Sequence, residues 1–220
     1  MMLTDLAHVL RAAGLTVVEV PGWRTRGHGE LVRVDTIVCH HTATSAKAAG
    51  NYPSLAIVRD GRSDLPGPLC NLGLGRDGTV YVVAAGLAYH AGTVRQTSYG
   101  NAYSIGIEAE HDGISPWPPA LLAAYARLCA VLAEHYQLPT SRVLGHKEVC
   151  APVGRKTDPN TDMDAFRAAV DNARDEDDVT PQQQEQLDRI ESKLDKLDKV
   201  LARITKAKRE VIHEVKEAGK

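Results

Sequence analysis

Between Gly145 and Asn160 the sequence reads GHKEVCAPVGRKTDPN. This short span gathers an imidazole (His146), a thiol (Cys150), two ammonium groups (Lys147, Lys156) and a carboxylate (Asp158). Pro152, Gly154 and Pro159 mark it as loop, and Pro159 biases Asp158 toward an extended backbone. Loops dense in such side chains are where rigid scaffolds usually carry chemistry. A second cluster, VCHHTAT at residues 38–44, ends a β-branched run in two adjacent histidines, His40 and His41. Neighbours on a strand face opposite sides, so only one of the two enters a shared site, and Cys39 turns away from His40 into the core. Two nitrogens from His40 and His146 with one oxygen from Asp158 suit a catalytic zinc, which wants three protein ligands and an open place for water. Cys150 is a rival ligand. Spacing alone leaves other triples open, because nine histidines and 28 acidic residues offer many.

The elements that would position these groups are legible in outline. Residues 3–13 read as a short helix ended by Gly14, and Thr16–Val20 as a strand. Val34–Thr42 reads as a buried strand delivering one histidine at its C-terminal end. His28, in the Gly- and Arg-rich loop between these strands, reads as solvated. Residues 45–67 look irregular. Leu69–Leu74 and Thr79–Ala85 form a hairpin around Gly75-Arg76-Asp77-Gly78. Tyr103–Glu110 alternates, with Ile105, Ile107 and Ala109 on one face and Ser104, Gly106, Glu108 and Glu110 on the other; Glu110 reads as a peripheral or a solvated neighbour of Glu108. A helix is expected from about Pro118 to Tyr136, with His135 at its end suited to the helix dipole. A last helix starts at Asp162 or Asp164. Strands interleaved with helices give an α/β fold.

Composition sets the outer bounds. The chain has 220 residues, 43% of them hydrophobic and 25% charged, with a net charge of −2. That balance offers no electrostatic case for a nucleic-acid or membrane partner. No apolar run approaches a membrane span. Four cysteines without a CxxC pair argue against a disulfide scaffold. The first residues lack a basic n-region, so synthesis in the cytoplasm without a signal peptide is expected.

Basic residues change type along the chain: 13 Arg and 3 Lys before Pro181 become 3 Arg and 7 Lys after it, where no aromatic occurs. We read residues 1–172 as the catalytic domain, 173–180 as an acidic linker and 181–220 as a coiled-coil helix. Thr180 and Pro181 open that helix as cap and first residue. Leu187, Ile190, Leu194, Leu197, Leu201, Ile204, Val211 and Val215 recur at heptad spacing, interrupted by Lys208 at an a position. So polar a helix needs a partner, and self-association into a homo-oligomer is expected.

VCHHTAT, RDGTVYVV, YHAG, SIGIEAE and GHKEV…GRKTDP occur here in one order. That order resembles the type 2 N-acetylmuramoyl-L-alanine amidases, kin of the peptidoglycan-recognition proteins, over roughly residues 30–172. The stretch SDLPGPLCNLGLGRDGTVY is similar to amidase modules of bacteriophage endolysins directed against actinobacteria. The resemblance implies a central mixed β-sheet flanked by helices and one catalytic Zn2+ on His40, His146 and Asp158. It implies that Glu108 handles the water proton and that Lys156 steadies the oxyanion. His90 and Asn101 match positions near the substrate cleft and are assigned to substrate binding. Arg155 is left between a substrate carboxylate and a loop brace, and His41 between the second layer of the site and the core. Where relatives carry a tyrosine in the first hairpin strand, Cys70 stands here, so a tyrosine-dependent variant is not expected.

The expected activity is hydrolysis of the amide between N-acetylmuramic acid and L-alanine, on the wall after release from the cytoplasm. Two alternatives come from the same resemblance. One is a module that grips peptidoglycan without cutting it, and the other a cytosolic amidase recycling soluble muropeptides.

Overall fold

Strand β2 (Thr36–His41) lies between two parallel neighbours, β7 (Ser104–Ala109) and β8 (Val143–Gly145). The computed structural model describes residues 1–175 and, beyond them, 189, 190, 192–194, 196, 197, 199–201 and 205. Its six-stranded sheet is completed by β1 (Val17–Glu19), β5 (Leu72–Leu74) and β6 (Val80–Val82), in the order β1-β6-β5-β7-β2-β8. Only the β5–β6 hairpin is antiparallel, so the sheet is mixed. A strand walled on both edges and both faces must be apolar nearly throughout, which the TIVC run of β2 satisfies.

Helices α1 (Leu6–Ala12), α3 (Pro119–His135) and α5 (Met163–Asp175) pack their apolar residues with one face of this sheet. Ile105, Ile107 and Ala109 of β7 meet this layer, which includes Leu128, Leu132, Phe166 and Val170. Leu121, Tyr125, Leu128 and Leu132 recur every three or four residues, the spacing that gives α3 one buried side. Leu128 and Leu132 are fully buried, each contributing roughly 1.5–3 kcal/mol. A smaller cluster of Val20, Tyr52, Val58, Cys70 and Val83 includes helix α2 (Leu55–Asp60).

Segment 45–67, expected to be irregular, holds α2 and a two-stranded hairpin, β3 (Gly61–Arg62) with β4 (Leu65–Pro66). Both are too short for periodicity to announce them. Helix α5 also outruns expectation. It continues through Asp175, so residues 173–175 are helical rather than linker. Ala173 is buried there, and Arg174 donates to the Leu138 carbonyl and the Thr140 hydroxyl.

Two compact units result, Met1–Arg174 and Asp175–Lys220. In the second, the described residues are helical, and Ile190, Leu194, Leu197 and Leu201 are all more than half exposed. Leu187, Ile204, Lys208, Val211 and Val215 of the expected heptads lie outside the described residues. No helix among the described residues is long and apolar enough to cross a membrane.

Candidate active site

The C-terminal ends of β7, β2 and β8 lie side by side, and their register sets the chemistry. His40 is level with Glu108, and Cys39 with Gly145, so Glu108, His40 and His146 emerge along one edge of the sheet. Ligands of open α/β sheets bind at that edge. His146 was expected in a loop but opens a single-turn helix, α4 (His146–Val149). Glu148 fixes that turn. Its carboxylate accepts from Gly145 N at 2.8 Å and pairs with Arg167 of α5 at 3.0 and 3.1 Å.

His40, His146 and Asp158 come together. Asp158 Oδ2 stands 3.0 Å from His40 Nδ1 and 3.1 Å from His146 Nδ1, and the three ligating atoms all lie within 4.8 Å of one another. Both rings are buried. Burial is the main cause that pulls His40 down to about 4, leaving it neutral near pH 7. Burial alone would raise Asp158, but hydrogen bonding to His146 and His40 overcomes it and holds the carboxylate well below its usual range. His146 Nε2 is 3.0 Å from the Ala91 carbonyl, which can only accept. His146 Nε2 therefore donates to that carbonyl, and Nδ1 is the ring atom turned toward the carboxylate. Two imidazole nitrogens and one carboxylate oxygen thus fit a divalent metal ion. Cys150 is not part of this set: its buried thiol faces the Lys147 and Pro152 carbonyls at 3.7 and 3.6 Å.

The triad floors an open cleft of about 640 Å³ that also takes in Glu108 and Lys156. Glu108 Oε2 is buried with no hydrogen-bond partner among the described residues. Burial, then the Asp158 charge, push the Glu108 carboxyl up to about 8, against the pull of Lys156. A cation at the triad would oppose that rise. Lys156 is near enough for its charge to act on both His40 and Glu108, and among the described residues it has no recorded ion pair. The cleft wall adds Arg62 and Leu65 from the β3–β4 hairpin.

Other expected residues find different surroundings. His90 borders the cleft, yet its ring nitrogens are engaged, Nδ1 at 3.2 Å from His40 Nε2 and Nε2 at 3.3 Å from Ser104 Oγ. Asn101 also borders the cleft, and its Oδ1 accepts from the backbone N–H groups of His90 and Ala91 at 3.1 and 2.8 Å. Arg155 braces the loop, donating to the carbonyls of Ala151, Ala91 and Thr93. His41 leaves the triad and lies beside His111 and Trp117, which stack at 4.0 Å. Glu110 is not solvated but 1% exposed, its carboxylate taken up by Thr42 and by the Ser54 hydroxyl and N–H. His28 is not solvated either, but stacks on Tyr89 at 3.7 Å.

Sequence reasoning missed three supports. Tyr125 of α3 places its hydroxyl 3.0 Å from His40 N and 3.0 Å from the Ile107 carbonyl, bridging β2 and β7 beneath His40. Tyr52 donates to the Glu108 carbonyl at 3.0 Å and crosses β5 where only a glycine fits, since a Cβ on Gly73 would sit 2.4 Å from its ring. Ser104 contacts His90. Only Ser104 had left a signal, by sharing the Glu108 face of β7.

Comparison with known proteins agrees with this geometry. The family model described as N-acetylmuramoyl-L-alanine amidase matches residues 30–161. Among solved structures, a selenomethionine derivative of AmpD is 24% identical, with 71% of this chain and 94% of that one covered at a TM-score of 0.52. A mutant endolysin from Bacillus subtilis is 19% identical over 71% and 99%, TM-score 0.54. N-acetylmuramoyl-L-alanine amidase LysC from Clostridium intestinale URNW is 20% identical over 71% and 97%, TM-score 0.54. Those structures share the fold; the search of curated proteins gave no match. The matched span runs from just ahead of β2 to beyond Asp158 and covers more than half of the chain, which therefore belongs to the N-acetylmuramoyl-L-alanine amidase family.

Proposed function

We propose that this chain is a zinc-dependent, endolysin-like amidase that cuts peptidoglycan between the lactyl group of N-acetylmuramic acid and L-alanine. The observation that carries the reading is the convergence of His40 Nδ1, His146 Nδ1 and Asp158 Oδ2 beside an unpartnered Glu108 Oε2 in an open cleft. Zinc suits this nitrogen-rich set, and when bound it lowers the pKa of a coordinated water to about 7 and polarises the substrate carbonyl. Glu108 receives the water proton at its free carboxylate oxygen and returns it to the leaving amine nitrogen as the C–N bond breaks. The Lys156 ammonium meets the negative charge that develops on the carbonyl oxygen. The products are a carboxylate on the lactyl group and a free L-alanine amino terminus.

Residues 181–220 join copies of the chain through the apolar stripe that includes Ile190, Leu194, Leu197 and Leu201. The protein is made in the cytoplasm and works on the wall after release. One experiment tests the whole reading: metal analysis of the purified protein, with release of L-alanine amino termini measured from intact sacculi and from soluble muropeptides. Zinc near one equivalent, and release from sacculi abolished by chelator and by Glu108→Ala, is the expected result. Release that survives both treatments refutes the mechanism. Cleavage of soluble muropeptides alone refutes the endolysin role, and tight binding without release makes the chain a recognition module.

A further inference from the structure

We propose that His90 is a positioning residue which, with Ser104, fixes the tautomer of His40 and so turns His40 Nδ1 toward the metal. The inference rests on the reading of the triad as a metal site, and it follows from a chain of hydrogen bonds that starts on backbone carbonyls and ends at His40.

The chain ends on backbone oxygens. Ser104 Oγ lies 2.9 Å from the Gly100 carbonyl and 3.2 Å from that of Tyr99, and carbonyls only accept. The single hydroxyl proton of Ser104 is therefore spent on them, and toward His90 its oxygen is an acceptor. His90 Nε2, at 3.3 Å, must then carry the proton. A neutral His90 is left with a bare Nδ1, 3.2 Å from His40 Nε2. With His40 donating there from Nε2, its Nδ1, 3.0 Å from Asp158 Oδ2, is the atom left for a metal ion, and the same contact with Asp158 is the pull that His90 has to outweigh in the metal-free protein. Three hydrogen bonds thus carry information from a main-chain carbonyl to the atom that would bind the metal.

The packing is built to hold this arrangement. His90 is 8% exposed and Ser104 fully buried, so water does not compete for the chain. The His90 ring lies over Gly106, where any Cβ would come within 2.4 Å of its Cγ. Asn101 Oδ1 clamps the N–H groups of both His90 and Ala91. The Ala91 carbonyl in turn sets His146, as described above. One dipeptide, His90-Ala91, therefore orders both imidazoles, the first through its side chain and the second through its backbone. Asn101 serves the same end by holding that dipeptide. His90 and Asn101, which the family resemblance places near the cleft, and Ser104 and Gly106, which strand alternation places on the Glu108 face of β7, act here on the ligands rather than on substrate.

The test measures zinc dissociation constants by chelator competition on the full chain, with 15N spectra of the histidine rings in the metal-free protein. His90→Ala is expected to weaken zinc binding about 10- to 100-fold, the usual effect of removing a group that orients a ligand. His90→Asn is expected to stay within a few-fold of wild type, because its amide oxygen can stand where Nδ1 stood and accept from His40. Ser104→Ala, which frees His90 to reverse, is expected to fall between them and to show a mixed His40 tautomer. Wild type should show His40 protonated on Nε2. Thermal unfolding confirms that each variant is folded. Zinc binding by a folded His90→Ala as tight as wild type overturns the proposal, as does His90→Asn no better than alanine, or a His40 proton on Nδ1 in wild type. If wild type takes up no zinc, the metal reading fails instead, and the ring spectra alone then decide the tautomer.

Discussion

Tyr125→Phe removes one oxygen atom and little volume from the core, which makes it a clean probe of how the strand carrying His40 is held. The hydroxyl accepts from His40 N at 3.0 Å and can donate to the Ile107 or His40 carbonyl at 3.0 or 3.1 Å. Phenylalanine leaves the His40 N–H in a fully buried setting without that acceptor. An orphaned buried donor costs about 1–3 kcal/mol. In a domain of this size each kcal/mol moves the melting point by about 2–4 °C, so a fall of roughly 2–12 °C is expected. Urea unfolding of the metal-free full chain, read by tryptophan fluorescence, is the appropriate assay. Trp23 and Trp117 are the only tryptophans and both belong to the first unit, so the signal ignores the tail. Working without metal removes stabilisation by bound ligand from the comparison. The midpoint should drop while the slope with urea stays constant. A Tyr125→Phe protein as stable as wild type would refute the claim that this hydroxyl is what satisfies the strand.

Four further outcomes follow from the site. Glu108→Gln should retain zinc and lose about 10²–10⁴-fold in turnover, because the carboxylate acts on a proton and not on the metal; metal analysis beside an L-alanine release assay checks both halves. Lys156→Ala should cost about 10²–10³-fold in kcat with zinc content unchanged, the size expected for one lost oxyanion contact. Cys150→Ser should leave the zinc stoichiometry as it is, since the thiol faces two carbonyls and not the triad; loss of metal would reinstate the thiol as a ligand. Deleting residues 181–220 should preserve catalysis and lower the particle mass measured by light scattering.

The parts legible in the sequence were those whose pattern is local. The TIVC run ending in His40, the alternation of Ser104–Ala109 and the three-four spacing along α3 each declare their element within a few residues. Segment 45–67 hid because its six-residue helix lies between Pro53 and Gly61, and turn residues outweigh so short a period. Glu110 looked solvated because nothing nearby in sequence announces Ser54 and Thr42 as its partners. His90 was harder still. Its neighbours, His40 and Ser104, lie 50 and 14 residues away on two different strands, so nothing local in the sequence links the three. Pattern locates elements; the partners of a buried polar group are set by topology.

The hairpin at residues 61–66 puts Arg62 and Leu65 on the cleft rim, whereas the reacting groups stand on or directly after the ends of β2, β7 and β8, or on the 156–158 loop. Rim and chemistry are therefore written in separate segments of the chain. Changes in that hairpin can reshape the mouth of the cleft while leaving every hydrolytic atom where it was.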